Sequence, residues 1–207
     1  MIRDDAPGWT GGRAIATLLA MQFQIRRAEP ADALLLSTFA ADSFRETFGA
    51  DNTEADMAKY LAEAFSPAIQ AAEITDPASI ILLAETPECE GGAQLAGYAY
   101  LVRGEPPACV AGPRPIELKR LYVGKSWHGR GVAASLMHAA LQSAAAANAQ
   151  TVWLGVWERN PRAVAFYAKH GFLRVGEHAF PLGQDIQTDW ILARSHQMSH
   201  PSQAAPT

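Results

Sequence analysis

The chain predicts a single-domain α/β protein built around a mixed sheet. Segments with alternating or continuous apolar character read as strands. They are interleaved with segments whose apolar residues recur every three to four positions. The length of 207 residues fits one domain with short extensions, and 49% hydrophobic with 18% charged residues supply one sizeable core.

Phe23, Ile25 and Arg27 alternate with polar neighbours as a first strand, and Glu29-Pro30-Ala31-Asp32 supplies turn and cap chemistry for a helix from about Ala33. Leu34, Leu35, Phe39, Ser43 and Phe44 keep helical spacing up to Phe48, and Gly49 ends the run. Asn52-Thr53 caps a second helix with Met57, Tyr60, Leu61 and Phe65 on one face, as far as Pro67. Ser79 to Glu85 and Gln94 to Arg103 read as buried strands, and the proline-rich stretch Gly104 to Pro115 as a loop. A strand at Ile116 to Val123 precedes an Ala/Leu-rich helix from Gly131 to Ala147. Thr151 to Trp157 is a β-branched and aromatic strand, Pro161 opens a short helix, and Gly171 stops it. Strands at Phe172 to Phe180 and Thr188 to Ala193 complete a domain spanning 21–194. Residues 1–20 form an extension for which Met21 is an alternative start, and 195–207 form a polar tail.

Charge and composition exclude several function classes. Seventeen Lys+Arg against 21 Asp+Glu give a net charge of −4, so no positive field draws the protein to nucleic acid or anionic lipid. No apolar run reaches the roughly 18 residues of a spanning helix, and Ala14 to Met21 is too short for a signal peptide or anchor. Cys89 and Cys109 lack disulfide or zinc spacing, which fits a reducing, cytoplasmic setting. His196 and His200 lack a third ligand, so no metal is expected. No hydrolase motif is present.

The stretch Leu121 to Ala134 joins a strand, a glycine-bearing loop and a helix, an arrangement suited to a phosphate: glycines admit an anion close to backbone N–H groups, and the helix N-terminus adds unpaired donors. A tight turn with no ligand is the alternative. Gly124-Lys125-Ser126 cannot end a Walker A loop, because the required glycine is Lys119. Gly129-x-Gly131-x-x-Ala134 has too little chain after it for a doubly wound dinucleotide fold.

His128-Gly129-Arg130-Gly131-Val132-Ala133 resembles the Arg/Gln-x-x-Gly-x-Gly/Ala loop of the GCN5-related N-acetyltransferase (GNAT) superfamily, with His128 as the departure. Asn160-x-x-Ala163-x-x-Phe166-Tyr167-x-x-His170-Gly171-Phe172 is similar to the family's second motif. Trp153 to Asn160, Gly176 to Phe180, Gly183 to Asp189 and Glu46 to Thr53 look like the bacterial PaiA-type spermidine/spermine acetyltransferases. The resemblance implies a largely antiparallel mixed sheet flanked by helices, acetyl-CoA as co-substrate, and a small-molecule amine as acceptor. It also leaves room for a homodimer.

By that resemblance, Leu121, Tyr122 and Val123 border the pantetheine arm, with Leu121 and Val123 offering backbone groups. His128, Gly129, Arg130, Gly131, Val132, Ala133 and Ala134 cradle the diphosphate, Asn160 bonds the arm or only caps its helix, and Lys169 reaches a phosphate. Tyr167 protonates the departing thiolate. An alkyl ammonium must lose a proton before it attacks, and Glu117, six residues before Val123, is the candidate base unless it only pairs with Lys119 or Arg120. Glu46, Glu54, Asp56, Glu177, Asp185 and Asp189 are the carboxylates available to hold a polycationic acceptor, and Trp153 and Trp157 read as core. A protein or antibiotic amine as acceptor, and a non-catalytic acyl-CoA sensor, are the rival functions.

Overall fold

The computed structural model describes residues 23–87, 94–182 and 185–195, with 181, 182, 185 and 186 as backbone only. The expectations for residues 1–20, Met21, Cys89, His196 and His200 fall outside these residues. The elements are β1 (Gln24–Arg27), α1 (Ala33–Phe48), α2 (Glu54–Phe65), α3 (Pro67–Thr75), β2 (Ser79–Glu85), β3 (Leu95–Val102), β4 (Pro115–Val123), α4 (Val132–Ala146), β5 (Thr151–Trp157), α5 (Pro161–Lys169), β6 (Leu173–Leu182) and β7 (Asp185–Ser195). The strands form one seven-stranded sheet in the order β1-β2-β3-β4-β5-β7-β6. Every neighbouring pair is antiparallel except β4 and β5. This is the mixed, mostly antiparallel sheet that was expected.

Two hydrophobic clusters lie on opposite faces of the sheet. On one face, Val132, Leu136, Met137 and Ala140 of α4 pack with Tyr167 of α5 on Ile116, Leu118, Val152, Leu154 and Val156. On the other, Leu36, Ala40 and Phe44 of α1 pack with Met57, Leu61 and Phe65 of α2 on Ile81, Leu83, Tyr98 and Tyr100. Because β2 and β3 are covered on both faces, their sequences read as continuous apolar runs rather than alternating ones.

Two local details differ from expectation. The buried stripe of α1 runs through Ala33, Leu36, Ser37, Ala40, Ser43 and Phe44, while Leu34 and Leu35 are 66% and 37% exposed. Small residues on the inner side let α1 approach α2, and the buried Ser37 hydroxyl donates to the Phe65 carbonyl at 2.5 Å, satisfying a terminal acceptor of α2. The helix α3 was also not anticipated. Its signal is Ser66-Pro67: the Ser66 hydroxyl accepts from the Ile69 N–H, and proline occupies the first helical position, where its missing N–H costs nothing.

Arg26 fastens the edge of the sheet. Its guanidinium donates to Asp32 at 2.7 and 2.8 Å and to Glu85 at 2.6 and 3.1 Å, which joins β1, the start of α1 and the end of β2. Those hydrogen bonds hold both carboxyl groups below the usual carboxylate range. Lowered folded-state values mean that the stabilisation is present above the unfolded values near 4 and disappears as pH falls through the folded ones. Replacing Arg26 with methionine should therefore lower Tm at pH 7 by roughly 2–4 °C, and should make the decline of Tm between about pH 5 and pH 3 shallower than in the wild type. Thermal melts across that range check both effects.

Candidate active site

Strands β4 and β5 pair only at Pro115, Ile116 and Glu117 with Thr151, Val152 and Trp153. Beyond that point β4 continues alongside β3 and β5 alongside β7, so the sheet opens between them. A bulge at Lys119, where the register steps from Tyr100↔Arg120 to Leu101↔Leu118, resets the alternation of β4. As a result Leu121 and Val123 remain on the α4 side with Ile116 and Leu118, while Tyr122 faces α1. The Gly124 N–H donates to the Ala96 carbonyl at 3.0 Å, and Tyr122 lies opposite Tyr98. The alternation therefore turns the backbone groups of Leu121 and Val123 away from β3 and into the opening. Tyr122 contributes neither backbone nor ring to that edge, since its ring stacks on Tyr98 with centroids 5.8 Å apart.

The loop after β4 leads straight into α4. Gly129 and Gly131 have φ of +77° and +84°, and no heavy atom lies within 4 Å of a Cβ built on either. The first helical hydrogen bond runs from Ser135 N–H to Gly131 O at 3.0 Å, which leaves the N–H groups of Val132, Ala133 and Ala134 without helical acceptors. The Val132 side chain is buried, Ala134 is exposed, and the Arg130 guanidinium sits 5.2 Å from the Trp127 ring centre. His128 spans two elements: Nε2 lies 3.0 Å from the Val123 carbonyl and Nδ1 lies 3.0 Å from Arg162 Nη1. A guanidinium only donates, so Nδ1 is the acceptor and Nε2 carries the proton given to Val123.

Three predicted residues lie on α5 and its cap. The Asn160 side chain accepts from the Ala163 N–H at 3.1 Å, so it caps the helix with its Oδ1. Tyr167 is buried against Phe166 and Phe172, and burial pushes its hydroxyl well above the ordinary phenol range. Lys169 is exposed at the far end of α5, about 10 Å along the axis from Arg162. The fold brings Arg162 to the loop instead.

On the α1 side, where β4 and β5 part, Glu117 and Asp189 both have His178 as a charged neighbour, and Asp189 and His178 stand over Gly155. Glu117 is half-buried and no hydrogen bond or ion pair engages it among the described residues; burial raises its carboxyl above the usual range. The alternative pairing with Arg120 is not made, because Arg120 bonds Glu73 at 2.6 Å and stacks over Phe65 and Tyr100. Lys119 is exposed, with its ammonium 5.6 Å from the Tyr100 ring centre. Asp189 is also raised by burial, and His178 Nε2 stands 3.8 Å from its Oδ2. A Cβ on Gly155 would lie 3.4 Å from both of those atoms.

Among the six acidic candidates, Asp189 alone shares His178 with Glu117 as a charged neighbour. Glu46 lines a cavity of about 550 Å³ between α1 and residues 124–127, to which Glu117, Tyr167 and Asp189 do not contribute. Glu54 is exposed, and Asp56 serves the cap of α2 by accepting from the Thr53 hydroxyl at 2.7 Å. Glu177 pairs with Arg174 on the surface, and the Asp185 side chain lies outside the described residues. Trp153 is buried with Val110 and Ile191, while Trp157 meets Phe48 edge-on at 5.8 Å. His178 and Gly155 were missed as site residues. The lone glycine between two tryptophans of a strand was the available signal, since glycine there marks a close approach.

An open strand edge, an anion-binding loop at its end and a half-buried carboxylate beside the opening can together hold an extended, amide-bearing chain that ends in phosphates, with a base near its reactive end. No helix among the described residues is long and apolar enough to cross a membrane. The family model for the acetyltransferase (GNAT) family matches residues 40–172. An uncharacterized N-acetyltransferase from the pepI 3′ region of Lactobacillus delbrueckii subsp. lactis is 34% identical over 154 residues, 74% of this chain and 86% of that protein. An uncharacterized N-acetyltransferase of Mycobacterium tuberculosis is 38% identical over 138 residues, 67% of this chain and 81% of its own length. The PaiA N-acetyltransferase from Thermoplasma acidophilum, solved with coenzyme A, superposes with a TM-score of 0.64 at 19% identity over 85% of this chain and 100% of that one. The spermidine/spermine N-acetyltransferase SpeG from Vibrio cholerae does so with a TM-score of 0.57 at 19% identity over 86% of this chain and 94% of that one. Those two likenesses are likenesses of fold. With the parted strands, the glycine loop and the family match over most of the domain, the chain belongs to the GNAT family of acetyl-CoA-dependent N-acetyltransferases.

Proposed function

We propose that the protein transfers the acetyl group of acetyl-CoA to a primary amine of a small polyamine such as spermidine or spermine. The observation that carries this reading is the pair of half-buried carboxylates, Glu117 and Asp189, which no lysine or arginine bonds among the described residues. Aromatic rings line the same side: Tyr60 meets Phe180 at 5.9 Å and Phe44 at 4.6 Å between ring centres, and Trp157 adjoins Phe48. Separated negative charges among aromatic faces suit a chain of ammonium groups joined by methylenes. The spermidine/spermine acetyltransferase SpeG shares the fold, which is in keeping with this choice.

Acetyl-CoA supplies a thioester carbonyl. The edge at Leu121 and Val123, where the Val123 carbonyl also accepts from His128, aligns the amides of its arm as an added strand would, and the N–H groups at the start of α4 receive its diphosphate. Glu117 takes a proton from the ammonium, directly or through a water; the raised carboxyl makes it a stronger base than an exposed glutamate. The amine nitrogen then bonds to the carbonyl carbon as the carbon–sulfur bond breaks. Tyr167, kept neutral at rest by burial, gives its proton to the leaving sulfur and is reprotonated from the nitrogen by way of solvent. One proton leaves with the thiol and one passes from Glu117 to solvent. Holding amine and thioester together supplies much of the acceleration.

Release of coenzyme A thiol from acetyl-CoA should saturate with spermidine or spermine and stay at background with aminoglycosides and short peptides. Turnover of an aminoglycoside or peptide alone would replace the polyamine reading. A thermal shift with acetyl-CoA but no thiol release with any amine would favour the sensor. Glu117→Gln should lower kcat/KM by roughly 10²-fold or more. Because a base acts only when deprotonated and burial raises this carboxyl, the wild-type rate should fall as pH drops through a value above the usual glutamate range, and the variant should lose that acidic limb. Tyr167→Phe should lower kcat by roughly 10²-fold with little change in the KM for acetyl-CoA; unchanged turnover would remove the acid role.

A further inference from the structure

The least expected contact in the molecule is the one made by His128. At the position where the motif of the glycine loop has arginine or glutamine, this residue turns its ring across the mouth of the parted strands. It donates to the last carbonyl of β4, Val123, and accepts from Arg162 on the first turn of α5, both at 3.0 Å. Arg162 is exposed and has no carboxylate partner among the described residues; its guanidinium donates to a neutral imidazole nitrogen. Holding a long cationic side chain in one place costs rotamer entropy, and a neutral acceptor offsets less of that cost than a carboxylate would. A carboxylate would also neutralise the charge. The imidazole fixes the guanidinium and leaves its charge available.

We propose that Arg162, oriented by His128, is a diphosphate-binding residue for coenzyme A. The inference rests on the acetyl-CoA reading of the loop. The guanidinium is held by the residue that opens the glycine loop, where a Cβ on Gly129 or Gly131 would meet nothing beyond its chain neighbours within 4 Å and the first N–H groups of α4 have no helical acceptor. A planar guanidinium with unused N–H donors matches two phosphate oxygens in a way that a helix N-terminus alone does not. His128 does not touch the substrate in this scheme. It is a positioning residue, joining the end of β4 to the start of α5 so that the strand edge and the cation keep a fixed spacing. Its glutamine counterpart in the motif could do the same, since a side-chain amide also offers one donor and one acceptor.

Calorimetric titration of the full chain with coenzyme A and with 3′-dephospho-coenzyme A tests this. Arg162→Gln should weaken both ligands roughly ten- to a hundredfold and flatten the salt dependence of binding. His128→Gln should bind as the wild type does. His128→Leu should lose part of the affinity, and His128→Leu combined with Arg162→Gln should be no weaker than Arg162→Gln alone. Wild-type affinity in Arg162→Gln would overturn the proposal, and a loss confined to coenzyme A would overturn the diphosphate assignment in favour of the 3′-phosphate. Independent effects of the two substitutions would overturn the role of His128. Failure of the wild type to bind either ligand would overturn the acetyl-CoA reading and this inference with it. Melting temperatures of the exposed-site variants should match the wild type, which separates loss of binding from loss of fold.

Discussion

The rest of the molecule depends on the early end of one strand pairing. Parallel strands joined through a helix normally run together along their length, yet β4 and β5 share a register of only three residues before they separate. A sheet that opens has unpaired backbone groups along the gap, and buried backbone groups without partners are costly. The fold tolerates the gap because each strand keeps its outer neighbour, β3 for β4 and β7 for β5. The site is thus a defect held open by intact pairing on both sides. A chain bearing amides would satisfy the groups that the defect leaves exposed.

The bulge at Lys119 makes the two sides of that gap chemically different. Without the extra residue, Leu121 and Val123 would turn toward α1, and Tyr122 would turn toward α4. With it, the apolar residues stay on the α4 core, and Glu117, Arg120 and Tyr122 share the other face. Arg120 is then largely enclosed, and its charge is met by Glu73, by the Ala64 carbonyl near the end of α2, and by the faces of Phe65 and Tyr100. Committing Arg120 to this set leaves Glu117 free of an ion pair. A buried charge with one partner removed is strongly destabilising, so Glu73 is what keeps Arg120 settled in the fold.

Much of this was legible in the residues. Among the described residues, alternation, caps and glycine stops located every strand and four of the five α-helices, and the two motifs located the loop and Tyr167. What escaped has physical causes. The helix α3 carries only one fully buried residue, Gln70, so its apolar periodicity is weak and Ser66-Pro67 was its one clear mark. The inner stripe of α1 is built from small and hydroxyl residues, whereas its leucines at 34 and 35 face outward, contrary to a rule that ranks positions by hydrophobicity. Asp189 could not be ranked above Glu46 or Glu177 because its place beside His178 and Gly155 is set by the registers of three strands. Arg162 was invisible for the same reason: its nearness to His128 is a contact across 34 residues.

The emptiness around Gly129 and Gly131 carries a last consequence. At Gly97 a glycine is there for room, since a Cβ would fall 2.6 Å from the Tyr122 carbonyl. At 129 and 131 there is space for a Cβ, and what an L-residue meets is the penalty of its own stereochemistry at positive φ. The loop therefore selects chirality, not volume. An achiral residue is the gene-encoded solution that carries no strain there, so a substitution at either position is resisted by the backbone and not by its neighbours.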